Sequence, residues 1–323
     1  MKLATFVTGG QVRTGAVTSN GQLLDLAAAA GDRAPLFDRM LTIIENEVEA
    51  LDIAAGLLAR SRGGHLFSLD EVTLLAPLPV PNSIRDFANF ELHSLQALEA
   101  SMRTRAASQP DPQAAYAQYK ASGAYDLPPI WYQRPFYFKG NRMTASGHGA
   151  TIRWPRFTNT MDYEVECAAI IGWRGVDIPV DDAREHIFGY TIYNDFSARD
   201  EQVRDQQFRM GPSKGKDFDT GNAFGPWIVT RDELPEPATL RMESRINGEV
   251  QGRGRLGDMQ HSFEEIIAFV SRDETLYPGD VLGSGTMGNG CGFETGRYLE
   301  PGDVIDLEIE GIGTLTNIIG EKR

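Results

Sequence analysis

Glu164 and Glu166 stand two apart in Met161-Asp162-Tyr163-Glu164-Val165-Glu166-Cys167. Val165, Cys167, Ala169 and Ile171 alternate there with Glu164, Glu166, Ala168 and Ile170, a period of two that reads as a strand. Successive strand side chains point to opposite faces, so both carboxylates project from the same one. Like charges side by side repel unless a cation or proton lies between them, or the face is simply exposed. A second segment runs from Tyr190 to Gln202. An apolar strand ends at Asn194-Asp195, and a helical turn beginning there would align Asp195, Arg199 and Gln202 at spacings of four and seven. The plainer reading is an Asp195 cap paired with Arg199. A third candidate pair is Asp86 and His93. Seven residues is nearly two helical turns, so both would lie on one side of a helix from Phe87 to about Ala107, with Phe87, Phe90, Leu95 and Leu98 as its apolar stripe. A lone histidine on such a helix is usually a packed or surface side chain.

Two glycine-containing segments complete the set. Gly211-Pro-Ser-Lys-Gly-Lys-Asp217 lacks the spacing of a Walker loop. It reads as a flexible lid carrying Lys214 and Lys216, or as a solvated loop. In Gly283-Ser-Gly-Thr-Met-Gly-Asn-Gly290, small residues let backbone N–H groups and the Thr286 hydroxyl approach an anion closely.

The elements that must position these residues are mostly short strands and turns. Leu3 to Val7, Gln11 to Val17 and Leu23 to Leu26 read as strands, with Asn20-Gly21 a hairpin signal. Three- and four-residue apolar spacing predicts helix from about Leu36 to Ala59. Pro77-Leu-Pro-Val-Pro81 breaks regular structure and divides the chain into a small unit, residues 1–76, and a larger one, 77–323. Arg241 to Ile246, Asn247-Gly248 and Glu249 to Gln251 form a predicted hairpin. Leu276-Tyr-Pro-Gly-Asp-Val-Leu282 and Leu299-Glu-Pro-Gly-Asp-Val-Ile305 are two similar turn–strand units. Further helices are expected over Asp182 to Phe188 and Phe263 to Phe269. The fold class is α+β, mainly β.

Composition narrows the partners. The 323 residues hold 45 acidic and 31 basic side chains, a net charge of −14. That argues against nucleic acid or an anionic membrane surface, both of which need a positive footprint. No apolar stretch approaches the ~18 residues needed to cross a bilayer, and the apolar run at Leu3-Ala4-Thr5-Phe6-Val7 is too short for a signal peptide. Cys167 and Cys291, in unrelated contexts, exclude a disulfide framework and point to a cytoplasmic protein. Only six of the basic residues are lysine, and two of those are Lys214 and Lys216.

Taken in order, the five segments resemble the fumarylacetoacetate hydrolase superfamily over roughly residues 80–323. The N-terminal unit is similar to an accessory domain that many members carry. The resemblance implies a mixed β-sandwich roll with a small N-terminal α/β domain, a site at the mouth of the roll, a homodimer, and a divalent cation held by carboxylates. Carried over by position, Glu164, Glu166 and Asp195 match the three metal-binding carboxylates. Asp86 matches a further acidic ligand of the subgroup that hydrolyses fumarylacetoacetate, and His93 its water-activating histidine. Arg199, Gln202 and Lys216 match residues that hold substrate and stabilise developing negative charge, and Thr286 matches one that meets a substrate carboxylate. An all-oxygen ligand set favours Mg²⁺, Mn²⁺ or Ca²⁺ over zinc. For the glutamate that orients the histidine, Glu300 has a suitable separation from Thr286 but precedes a Pro-Gly turn. The acylpyruvase subgroup instead carries histidine and glutamate three residues apart on one short helix, a register that holds Phe90 and His93 here.

The function implied is metal-dependent hydrolysis of a carbon–carbon bond in a 1,3-diketo acid, such as fumarylacetoacetate, fumarylpyruvate, maleylpyruvate or another acylpyruvate, in the breakdown of aromatic compounds. The alternative is a lyase, isomerase or decarboxylase acting on a 2-oxo acid: oxaloacetate, an unsaturated dioic acid or a keto-deoxy sugar acid. A silent protein that binds metal and anion without turnover is the third reading.

Overall fold

A computed structural model of the chain describes residues 1–61, 64–123, 125–207 and 211–322. Its largest element is a 12-stranded sheet, and the middle of that sheet is where the sequence is most continuously apolar. Ile187–Asp195 is buried at all nine positions and Val165–Ile171 at all seven. These two strands pair antiparallel, Val165 opposite Asn194 and Cys167 opposite Ile192. Asn222–Thr230 flanks them on one side and Asp280–Gly283 on the other. Beyond Asp280–Gly283 comes Ser83–Phe87, parallel to it, with Gly283 opposite Asp86.

Both faces of the central strands are covered, and their period of two sorts residues between two cores. Val165, Cys167, Ala169 and Ile171 pack with Met242, Ile246, Ile305, Leu307 and Leu315. Those partners come from a 5-stranded sheet built on the Arg241–Ile246/Glu249–Arg255 hairpin. Ala168 and Ile170, pointing the other way, pack with Phe37, Met40, Ile43, Ile44 and Ala50 from the N-terminal helices. The two Pro-Gly-Asp units turn alike, with Gly279 and Gly302 both at φ +84°. Their strands nevertheless join different sheets, Asp280–Gly283 the large one and Val304–Ile309 the small one.

Near the N-terminus, Lys2–Thr8 pairs with Gln11–Val17 and also with Asn222–Thr230, where Leu3 lies opposite Ile228. The sheet therefore runs without interruption across the proline-rich segment at 77–81. The helix expected from Leu36 to Ala59 is divided. Met40–Glu45 and Glu47–Arg60 meet at Asn46, whose φ of −117° and ψ of 35° break the turn. Asp182 to Phe188 is helical only as far as His186: a turn of helix over Val180–Ala183 and a 3₁₀ turn over Arg184–His186 give way to the strand beginning at Ile187. Among the described residues no helix is long and apolar enough to cross a membrane.

Candidate active site

Three strands bring four carboxylates together. Asp86 lies near the end of Ser83–Phe87, Glu164 immediately before Val165–Ile171, Glu166 within that strand, and Asp195 at the last position of Ile187–Asp195. One oxygen from each lies within 4.8 Å of the others, and all four residues are buried. The local chain conformation differs in two places from the helical expectations. Asp86 belongs to a strand because Ser83–Phe87 finds a parallel partner in Asp280–Gly283, so the helix begins only at Glu91. Asp195 likewise pairs with Asn222 as the end of a strand, and the helix bearing Arg199 and Gln202 starts at Arg199.

Gly283 makes the cluster possible. A Cβ on it would lie 2.7 Å from Asp86 Oδ1 and 2.8 Å from Glu166 Oε2, inside the contact limit of both atoms. Gly285, at φ +77°, turns its N–H onto Glu166 Oε2 at 3.1 Å. Burial, and after it the repulsion of Asp86, lifts the Glu166 carboxyl well above the usual range. Burial also raises Asp86 and Asp195. Glu164 is the exception. Burial opposes its charge, but Lys216 and Arg199 outweigh that and hold it low, at about 2.

Lys216 is buried, although the segment reads in sequence as an exposed lid. Its ammonium stands 2.5 Å from both Glu164 Oε2 and Asp195 Oδ2 and donates to the Asp195 carbonyl at 3.2 Å. Gly215 permits this approach, because a Cβ there would meet the Gln202 backbone at 2.6 Å. Lys214 turns away and donates to the Asp217 carbonyl. A cavity of about 680 Å³ opens beside Lys216 and is also lined by Lys139 and Lys214, so three of the six lysines face one space.

The guanidinium of Arg199 is engaged on every nitrogen. Nε donates to Asp162 Oδ2 at 2.7 Å, Nη1 donates to Gln202 Oε1 at 2.8 Å, and Nη2 lies 2.8 Å from Glu164 Oε1. Asp162, given no role from sequence, also accepts from the N–H groups of Tyr163, Gly292 and Phe293. It thereby ties the carboxylate strand to the turn beyond Gly290. Thr286 is buried and donates to the Val165 carbonyl at 3.1 Å.

His93 sits in the first turn of Glu91–Ala107, and its Nδ1 lies 2.8 Å from Glu294 Oε1. A carboxylate can only accept, so Nδ1 carries the proton and Nε2 keeps its lone pair. The Glu294 side chain is fully buried and its other oxygen accepts from the Cys291 N–H at 3.1 Å. Once protonated, His93 would add to Lys216 and Arg199 in holding Glu164 low, which puts imidazole and carboxylate cluster within electrostatic reach. One turn on, Gln96 exchanges two hydrogen bonds with Asn289 and pins this helix to the glycine turn. Glu300 has no part in the pair, as its backbone N–H donates to Asp303 in the turn. The sequence signal for Glu294 was the capping pattern Cys291-Gly-Phe-Glu294, in which the fourth residue reaches back to the first. Of the apolar stripe expected beside His93, Phe87 and Phe90 are buried but precede the helix, Leu95 is exposed, and helix Pro112–Ala121 packs against this one.

The donor set fits a hard cation. Asp86 Oδ1, Glu166 Oε1 and Asp195 Oδ1 are buried oxygens without a hydrogen-bond partner, a costly arrangement unless something positive meets them. All candidate ligand atoms in this cluster are oxygen, the chemistry of Mg²⁺, Mn²⁺ or Ca²⁺. Gly283→Ala is expected to weaken Mg²⁺ or Mn²⁺ binding at least about tenfold, since the new methyl would displace two of the oxygens and disturbing even the surroundings of metal ligands typically costs 10–100-fold. Isothermal titration of the variant against the parent checks this, and an unchanged affinity would remove Gly283 from the account.

Comparison with known proteins agrees with this architecture. The family model described as "Fumarylacetoacetate (FAA) hydrolase C-terminal" matches residues 112–319. The oxaloacetate tautomerase YisK of Bacillus subtilis (strain 168) is 33% identical, with 99% of this chain and 100% of that protein covered. Among solved structures, a fumarylacetoacetate hydrolase from the psychrophile Exiguobacterium antarcticum superposes with a TM-score of 0.73 at 31% identity, covering 99% of each chain. A probable 2-hydroxyhepta-2,4-diene-1,7-dioate isomerase from Mycobacterium abscessus gives 0.72 at 25% identity over the full length of both. With both halves of the chain accounted for and the model matching well over half of it, this protein is a member of the fumarylacetoacetate hydrolase family.

Proposed function

We propose that the protein is a metal-dependent enzyme of small 2-oxo acids that moves a proton at the carbon beside the carbonyl, with keto–enol conversion of oxaloacetate or a similar dicarboxylate as its reaction. The observation that carries this reading is the His93–Glu294 pair, a buried carboxylate orienting an imidazole beside four clustered carboxylates. The full-length likeness to an oxaloacetate tautomerase supports it.

Asp86, Glu164, Glu166 and Asp195 would hold the cation. When bound, Mg²⁺ or Mn²⁺ supplies a Lewis acid that polarises the 2-oxo group. His93 then takes the proton from the adjacent carbon at Nε2, while Glu294 stabilises the resulting imidazolium, an arrangement typically contributing about 10²–10⁴-fold. The negative charge that develops on the former carbonyl oxygen is met by Lys216 and the Gln202 amide. Returning the proton to that oxygen completes the conversion: one C–H bond is exchanged for an O–H bond and no carbon–carbon bond is cut. Thr286 is the candidate partner for a substrate carboxylate, provided its hydroxyl turns from the Val165 carbonyl to which it donates. Lys139 and Lys214, facing the cavity beside Lys216, supply the local positive charge that an acidic protein needs to attract an anion.

A second reading is favoured by the likeness to a fumarylacetoacetate hydrolase. The same Nε2 can deprotonate water, and water attack on a 1,3-diketo acid would expel the same kind of enolate. One panel separates the two. Purified protein with Mg²⁺ or Mn²⁺ is tested against oxaloacetate, acylpyruvates, fumarylpyruvate, maleylpyruvate, unsaturated dioic acids and keto-deoxy sugar acids. Accelerated decay of the oxaloacetate enol absorbance, abolished by chelator and without pyruvate release, is expected. Pyruvate release from an acylpyruvate, with no effect on oxaloacetate tautomers, would overturn the first reading in favour of the second.

A further inference from the structure

One group beside the dyad is used by neither the proton transfer nor the carboxylate cluster. Cys291 is fully buried at the start of the turn Gly292–Thr295. Its Sγ, a ring nitrogen of His93 and a carboxylate oxygen of Glu294 lie within 4.8 Å of one another. Capping alone does not account for a thiol here, because serine, threonine, aspartate and asparagine are the good acceptors for helix N–H groups. Cys167, the other cysteine, lies in the core among apolar side chains, so the two thiols differ in the company they keep.

We propose that His93, Cys291 and Glu294 form a second metal site, selective for Zn²⁺ and similar thiophilic cations, whose occupation switches the enzyme off. Sulfur and imidazole nitrogen are ligands that zinc prefers, whereas the neighbouring all-carboxylate cluster suits hard ions, so the two sites sort metals by chemistry. Zinc binds sulfur at about 2.3 Å and imidazole nitrogen or carboxylate oxygen at about 2.0–2.2 Å, which sets two ligands of one ion no more than about 4.4 Å apart. Closing the observed group requires movement on the order of a few tenths of an ångström to an ångström. His93 can supply it, as the one member with side-chain exposure, 16% against 0% for Glu294. That exposed side is also the entry path and the position for a water as fourth ligand. The ion would replace the proton shared by His93 Nδ1 and Glu294 Oε1, and the thiol proton would leave to solvent. Inhibition rests on the reading of His93 as the proton-transferring base, while binding does not.

The test begins with protein saturated with Mg²⁺ and titrated with Co²⁺ as an optical probe. One equivalent is expected to produce a near-ultraviolet thiolate-to-cobalt band. Cys291→Ser should abolish the band and Cys167→Ser should keep it. In the turnover assay, half-inhibition by Zn²⁺ should require at least about tenfold more metal for Cys291→Ser than for the parent, with the uninhibited rates within about twofold of each other. Absence of the band in the parent overturns the proposal without reference to any variant. Survival of the band in Cys291→Ser, or equal zinc sensitivity of the two proteins, also overturns it, the latter indicating exchange at the carboxylates instead. If no substrate in the panel is turned over, the catalytic reading fails, and the cobalt band still decides the site.

Discussion

His93→Ala is expected to lower turnover by about 10²–10⁴-fold and to leave the affinity for Mg²⁺ or Mn²⁺ within about twofold. The asymmetry follows from where the side chain stands. Its Nδ1 is taken by Glu294, and the four carboxylates can close around a cation without it. Glu294→Gln sharpens the test, since it keeps the shape and removes the charge. A glutamine amide can donate to Nδ1, which would move the imidazole proton to Nε2 and leave no lone pair to accept the substrate proton. A loss on the order of 10²–10⁴-fold is expected there too, by the logic of a base locked in the wrong tautomer. Effects acting as a unit do not add, so the double variant should be little worse than either single. Steady-state kinetics with calorimetric metal titration on the three variants checks this. Wild-type turnover in Glu294→Gln, or His93→Ala activity recovered by excess metal, would count against the dyad.

The pair also marks how far sequence reading reaches. His93 could be singled out because it lies seven residues from Asp86, but its partner lies 201 positions away along the chain. Only the docking of Glu91–Ala107 against the Gly292–Thr295 turn joins them, and no local spacing encodes that contact. The carboxylates were legible for the opposite reason. Glu164 and Glu166 interrupt a strand that is otherwise continuously apolar, and charge in such a place stands out. Asp86 was found as a residue but set on the wrong element, and Asp195 was set at its strand end with the following helix begun too early. Helical periodicity is read over neighbours in sequence, whereas Ser83–Phe87 is a strand because of Asp280–Gly283, about two hundred residues downstream. Lys216 fails in the same way: a Ser-Lys-Gly-Lys run looks solvated, and only the cluster beneath it explains its burial. The strands that carry Glu164, Glu166 and Asp195 were readable from period and turns alone; the joining of the N-terminal strands to the same sheet was not, because Leu3 meets Ile228 through pairing and not through pattern.

Lys216→Met separates binding from chemistry at the cluster. Asp86, Asp162, Glu164, Glu166 and Asp195 are five buried carboxylates facing two buried cations, Lys216 and Arg199. Removing one partner of such a pair leaves charge stranded in a low-dielectric site, at a cost of about 3–5 kcal/mol. With the divalent ion chelated, the variant should therefore melt well below the parent. A cation is drawn more strongly to a site that has lost a positive charge, so Mg²⁺ should bind the variant more tightly and restore more of its stability. At a hundred times Kd a ligand contributes about 2.7 kcal/mol, enough to recover a large part of that loss. Turnover should not follow, because no ammonium remains to meet the charge developing on the substrate oxygen, a deficit of about 10²–10³-fold. Calorimetric melting with Mg²⁺ and with chelator, beside kinetics at saturating metal, gives both readouts. An equal Mg²⁺ shift in the two proteins would mean that Lys216 is not part of the cation's electrostatic surroundings, and undiminished turnover would mean that it does not meet the substrate.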